Sequence, residues 1–273
     1  MCNNNLLNHV SICINSSYKT SDIAYFFFQG FQKYFKSNIK NKFWLTNDVD
    51  QKNLKIKNFE LVKSNISNWK NETLNQLLFI KSKYPNISHI ILILDDFIFF
   101  KSNSISDFDD VVNFSIKNHL KYVRFSRIEK SFLFNILTFF RKPLYRFKKI
   151  KFFTISKNHP YYSSLQIALW DLDYLISQIK ISKNIWSFEN LISNETHLSL
   201  NKELLFYKHI VEKGKWLFYA KSLLNKAGIK FEKGHRGFYG GKLYFLYFYL
   251  KKIQFFTIGY LPLRLKYYFN NNE

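Results

Sequence analysis

Apolar and polar positions fall in blocks along this chain, and the blocks alternate between strand and helix periods. His9–Ile14 (HVSICI) is short, apolar and β-branched, and reads as a first strand. The polar loop Asn15–Asp22 follows, and Ser21 or Asp22 can cap a helix running to about Lys36. Lys42–Leu45 reads as a second strand with the polar turn Thr46–Gln51 behind it, and Phe59–Lys63 as another short one. The spacing predicts a helix over Trp69–Lys83, broken before Pro85. Then comes His89–Phe100 (HIILILDDFIFF), in which five aliphatics run straight into Asp95 and Asp96. A continuous apolar run of this kind is the pattern of a strand buried on both faces. Further on, the pattern predicts a helix over Asp107–His119 and a strand at Tyr122–Phe125. Helices are then expected over Tyr161–Ile179, through Leu165, Ala168, Leu169, Leu172 and Leu175, and from Trp186 to Ile192. The alternation predicts an α/β fold with right-handed crossovers and a mostly parallel central sheet flanked by helices.

Two acids at the carboxyl end of a buried strand sit where open α/β sheets bind ligands. Ionised carboxylates beside a core are costly unless paired or bound to a cation. Asp95 and Asp96 are therefore expected to face a crevice and hold something positive, a divalent metal above all; a helix cap or a solvated turn is the plain alternative.

Composition adds a charge problem. The 273 residues carry a formal charge of +22, with 31 Phe and 18 Tyr. An excess of Asn, Lys, Ile and Phe is the mark of an AT-biased genome and inflates the lysine count. The surplus still favours anionic partners such as a membrane surface or phosphorylated substrates. Two segments, Ser131–Phe153 and Gly241–Phe269, interleave Lys and Arg with large aromatics, a texture suited to an anionic membrane or to single-stranded nucleic acid. Cys2 and Cys13 lack metal-site spacing or a disulfide framework, which fits a reducing compartment. No signal peptide is evident and no apolar run approaches the roughly 20 residues of a membrane span. The expected location is cytoplasmic, peripheral at the inner face of the cell membrane. Seven His without zinc spacing, and no phosphate-loop, dinucleotide or nucleophile-elbow motif, leave those chemistries unsupported.

Three further segments join the acids. Leu94-Asp95-Asp96 resembles the short acidic motif of GT-A-type nucleotide-sugar glycosyltransferases, with Leu94 in place of the first acid. Tyr161–Trp170 (YYSSLQIALW) resembles the Gln-x-x-x-Trp segment of bacterial polysaccharide and lipopolysaccharide transferases. Trp186-Ser187-Phe188-Glu189 resembles their Trp-x-x-Glu segment. The likeness covers roughly Val10 to His197. It implies a Rossmann-type GT-A-like fold and a sugar moved from a nucleotide-sugar donor to a glycan or lipid-linked glycan of the cell surface, capsule or lipopolysaccharide. It also implies Mn²⁺ or Mg²⁺ on Asp96, with Asp95 at the ribose or sugar. Glu189 becomes the candidate base of an inverting transfer, partly desolvated by Trp186 and Phe188. Ser16, Ser17, Lys19 and Asp22 lie where base and ribose are expected, with turn and cap roles equally open to them. Trp69 and Arg124 are further donor-side candidates, for which core packing and an ion pair stand open. Gln166, Trp170 and Trp186 are the acceptor-side candidates. His235 and Arg236, in a Gly-flanked basic turn, are candidates to close over the diphosphate, with an exposed basic turn as the plainer alternative.

The expected organisation is a catalytic domain over residues 1–233, with a donor half at about 8–125 and an acceptor half at about 154–233. A basic aromatic extension, membrane-associated, would follow over residues 234–273. Two other readings compete. A metal-dependent nuclease or phosphotransferase would recruit Asp107, Asp109 and Asp110, and a non-enzymatic basic module would bind nucleic acid through charge alone. On the glycosyltransferase reading nucleic acid is not an expected partner.

Overall fold

The computed structural model describes residues 6–47, 58–66, 68–127, 142–157, 159 and 162–239. In chain order the first half gives β1 (Val10–Asn15), α1 (Ser21–Tyr34), β2 (Asn41–Thr46), β3 (Glu60–Lys63), α2 (Trp69–Lys83), β4 (His89–Leu94), β5 (Phe97–Lys101), α3 (Ile105–Lys117) and β6 (Tyr122–Arg124). The second half gives β7 (Tyr145–Phe147), β8 (Ile150–Thr154), β9 (Ala168–Asp171), α4 (Leu172–Ile181), α5 (Ile185–Glu189), β10 (His197–Leu200), β11 (Phe206–His209), β12 (Val211–Glu212), β13 (Lys215–Trp216) and α6 (Ala220–Lys226).

Nine strands form one sheet in the order β3-β2-β1-β4-β9-β6-β10-β8-β7. β3, β2, β1 and β4 are mutually parallel, and β6 pairs parallel with β10. Only β8 and β9 run against the common direction. The fold is thus α/β with a mostly parallel central sheet flanked by helices, as the alternation predicts. β4 alternates its side chains between two cores. Ile91 and Ile93 enter the one built with α1, α3 and β5, while Ile90 and Leu92 enter the one built with α2, α4 and α5. That two-sided burial is why the run shows no polar alternation.

The helical expectation over Tyr161–Ile179 is corrected. Ala168–Asp171 forms β9, inserted between β4 and β6, and α4 starts only after it. Asp171 accepts a hydrogen bond from Tyr174 N (2.9 Å) and caps α4. The apolar spacing is shared by a doubly buried strand and a helix, and only the cap marks where one becomes the other. Trp216 N donates to Gly237 O (2.9 Å) and Tyr239 N to Trp216 O (2.7 Å), so residues up to 239 are knitted to the body. The segments 128–141 and 240–273, and with them most of the expected membrane-binding sequence, lie outside the described residues. Among the described residues no helix is long and apolar enough to cross a membrane.

Gly30, in the middle of α1, lets that helix approach β5. A Cβ there would stand 2.8 Å from Phe99 O and 3.3 Å from Phe99 N. Gly→Ala in an exposed helix gains about 1 kcal/mol; here overpacking against backbone costs about 1–3 kcal/mol and reverses the sign. Urea unfolding of Gly30→Ala should show a loss of stability, and a gain would disprove the close approach.

Candidate active site

The chain leaves β1 toward β2 and β3, then returns to lay β4 on the other side of β1. The carboxyl ends of β1 and β4 are therefore a topological switch point, the place where open α/β sheets bind their ligands. Ser16 and Thr20, in the loop leaving β1, reach across it. Each donates its hydroxyl to Asp95 Oδ2, at 2.6 Å. Asp95 is 4% exposed. Burial raises its carboxyl to about 7, Asp96 adds to the rise, and the two hydroxyls oppose it. A cation arriving beside such a carboxyl favours its ionised form, and the proton leaves to solvent.

Asp96 faces the other way. Its Oδ2 accepts from His209 Nε2 at 2.7 Å, and β11 brings that histidine in by pairing antiparallel with β5. Burial alone would lower the His209 imidazole, yet Asp96, through charge and hydrogen bond, lifts it above its ordinary value. Glu189 lies within electrostatic reach of Asp96, His209 and Arg124. Burial raises its carboxyl, Asp96 adds to the rise, and the Leu165 N–H, Arg124 and His209 oppose it. Leu165 N donates to Glu189 Oε1 at 3.0 Å, which anchors the carboxylate. Arg124, at the end of β6, is buried and donates through Nε to Tyr122 Oη (3.2 Å). The fold thus gathers Asp95, Asp96, Arg124 and Glu189 from three distant stretches of sequence.

Other candidates go elsewhere. Trp170 is fully buried, packed against Tyr122 (4.3 Å between centroids) and Phe188 (5.6 Å), so its reading as an acceptor contact is corrected to a core residue. Trp69 packs edge-to-face with Phe188 at 5.6 Å between centroids and supports the helix that carries Glu189. Ser17 caps the turn, its N–H donating to Thr20 Oγ1 (3.1 Å). Asp22 and Arg236, expected at the donor and its diphosphate, grip each other: Arg236 Nε donates to Asp22 Oδ2 (2.6 Å) and its Nη2 to Oδ1 (2.8 Å). Arg236 also donates to the Lys19 carbonyl, so Lys19 contributes backbone there while its ammonium lies over the Tyr18 ring. His235 is exposed beside this clamp. Gln166 is exposed and accepts from Ser126 Oγ (3.3 Å), and Trp186 is 66% exposed, which leaves both open to an acceptor.

Two residues escaped the sequence reading. Thr20 sits inside the loop that was singled out, but its hydroxyl role depends on the turn formed by Tyr18–Thr20. His209 lies 113 positions from Asp96, and no local spacing marks it.

Among the described residues no three His, Cys, Asp or Glu side chains cluster as a closed metal site. Asp96 Oδ1 is buried and carries no hydrogen bond. An orphaned carboxylate oxygen beside an imidazole fits a cation held by few protein ligands, with phosphate and water supplying the rest.

No protein-family model matches the chain, and no curated protein matches it. Among solved structures it is similar to S. aureus TarS, at 10% identity and a TM-score of 0.46, over 83% of this chain and 41% of that one. It is also similar to a cytidylyltransferase from Leptospira borgpetersenii serovar Hardjo-bovis, at 13% identity and a TM-score of 0.44, over 93% of this chain and 98% of that one. The chain therefore spans less than half the length of TarS.

Proposed function

We propose that this protein is a metal-assisted glycosyltransferase that moves a sugar from a nucleotide-sugar donor to a cell-surface glycan or lipid-linked glycan. The observation that carries the reading is the meeting at one switch point of Ser16, Thr20 and Asp95 with Asp96, His209, Arg124 and Glu189. The donor's ribose or sugar lies against Asp95. Asp96, with His209 beside it, holds Mn²⁺ or Mg²⁺ on the diphosphate. A bound divalent cation neutralises the departing nucleoside diphosphate. Arg124 offers further positive charge on the side of Glu189. Glu189 takes the acceptor hydroxyl proton, Trp186 and Gln166 receive the acceptor sugar, and transfer inverts at the anomeric carbon.

The nuclease or phosphotransferase reading needs further carboxylates beside Asp96. Asp107 is paired with Lys202 (2.6 Å), Asp110 with Lys148, and Asp109 accepts from Asn38 Nδ2 (2.7 Å). Each is held by partners of its own, which favours sugar transfer.

Calorimetric titration with nucleoside diphosphates, with and without Mn²⁺, tests the assignment. Wild type should bind more tightly with Mn²⁺, and Asp96→Ala should abolish that enhancement. Unchanged metal dependence in the variant would remove Asp96 from the site.

A further inference from the structure

The β7–β8 hairpin closes one edge of the sheet and is two-faced. Tyr145, Phe147 and Phe152 turn inward onto Phe114 of α3, at 5.8, 4.9 and 4.9 Å between ring centroids. The outward positions are Lys142, Leu144, Arg146 and Lys151, with Lys149 at the turn, all exposed. Residues 142–154 contain no acid. Arg146 and Lys151 stand directly opposite each other across the two strands. Like charges so placed destabilise a hairpin. Among the described residues neither forms an ion pair, nor does Lys149; the hairpin's ion pair there is Lys148 with Asp110. Leu144 is 50% exposed in the same row as these cations.

We propose that this hairpin is a docking surface for an anionic lipid bilayer. Lys142, Arg146, Lys149 and Lys151 meet lipid phosphates, which relieves the cross-strand repulsion, while Leu144 enters the headgroup boundary. A bilayer suits the face better than a nucleic acid: its exposed large apolar member is the aliphatic Leu144, and Tyr145, Phe147 and Phe152 are turned onto Phe114, where bases cannot stack on them. The proposal stands whether or not the chain transfers sugar.

Co-sedimentation of the full chain with phosphatidylcholine vesicles, plain or doped to about one third with phosphatidylglycerol, tests it. Wild type should bind the doped vesicles and not the plain ones. Arg146→Glu/Lys151→Glu should weaken that binding by at least about thirtyfold, since each surface charge contributes about 1 kcal/mol. Leu144→Ser should weaken it further without changing its salt dependence. The charge reversal keeps the sheet edge charged, so a purely anti-aggregation role for these residues would leave vesicle binding intact and overturn the proposal. Lys221→Glu/Lys226→Glu, an equal charge change on α6 at the other face of the sheet, should keep binding; an equal loss there would reduce the effect to net charge and overturn it too. So would wild type that ignores doped vesicles at low salt, or that prefers single-stranded DNA to them. Thermal melts of each variant separate lost docking from lost fold.

Discussion

Glu189→Gln should retain nucleotide binding and lose transfer by about 10²–10⁴-fold in kcat, the usual contribution of a positioned general base. Glutamine keeps the oxygen that accepts from Leu165 N and the packing of α5, so the donor side is left intact. What it cannot do is take the acceptor proton. The pH profile adds a second signature. Burial holds the Glu189 carboxyl above its ordinary range, so kcat of the wild type should rise with pH through that raised value. The variant should show no such limb. Stability should move oppositely. A carboxyl whose folded pKa lies above its unfolded one contributes stability that is present below the unfolded value and lost as pH rises through the folded one. Glu189→Gln should therefore match or exceed wild-type stability at neutral pH. A variant with full transfer, or one that has lost donor binding, would remove Glu189 from the role of base.

Arg236→Leu should destabilise the protein by about 3 kcal/mol, because it leaves Asp22 facing an emptied, largely buried partner site. The Gly214 carbonyl, which Arg236 Nη1 reaches at 3.0 Å, and the Lys19 carbonyl lose their donor as well. Arg236→Lys should not rescue it, since an ammonium cannot reproduce the two parallel bonds to Asp22. The double variant Arg236→Leu/Asp22→Leu should regain part of the loss, with the coupling between the two sites exceeding about 1 kcal/mol in a double-mutant cycle. The clamp ties residues 235–239 to the loop leaving β1, so its rupture should also loosen Ser16 and Thr20 on Asp95. Denaturant melts of the four proteins check the arithmetic. If Arg236→Leu weakened nucleotide binding with stability unchanged, Arg236 would belong to the diphosphate after all.

The contrast between Arg236 and Asp95 shows what local sequence carries. Asp95 and Asp96 were legible because burial of a strand is written as an unbroken apolar run, and acids at its end stand out against it. Arg236 sits in a short Gly-flanked basic turn whose plainer reading is an exposed one; its partner lies 214 positions away. Glu189 was reached through a short segment likeness, and the fold supplies the desolvation that its role requires. Trp170 misled because a Trp at the end of an apolar run reads the same whether it lines a cleft or fills a core. β9 was missed for a related reason: a strand buried on both faces loses the two-residue alternation that would distinguish it from a helix.

By itself the sequence determined the strand-and-helix alternation of the first half, the two-sided burial of β4 and the placement of two acids at its carboxyl end. These are local matters of period, propensity and the cost of burying charge. Only the tertiary structure decided which groups those acids meet. Strand order puts Ser16 and Thr20 on Asp95, the β5–β11 pairing puts His209 on Asp96, and the clamp pairs Asp22 with Arg236. Hydrogen bonds and charge act over a few ångströms of space, whatever the separation along the chain, so they become readable only once the sheet has been assembled.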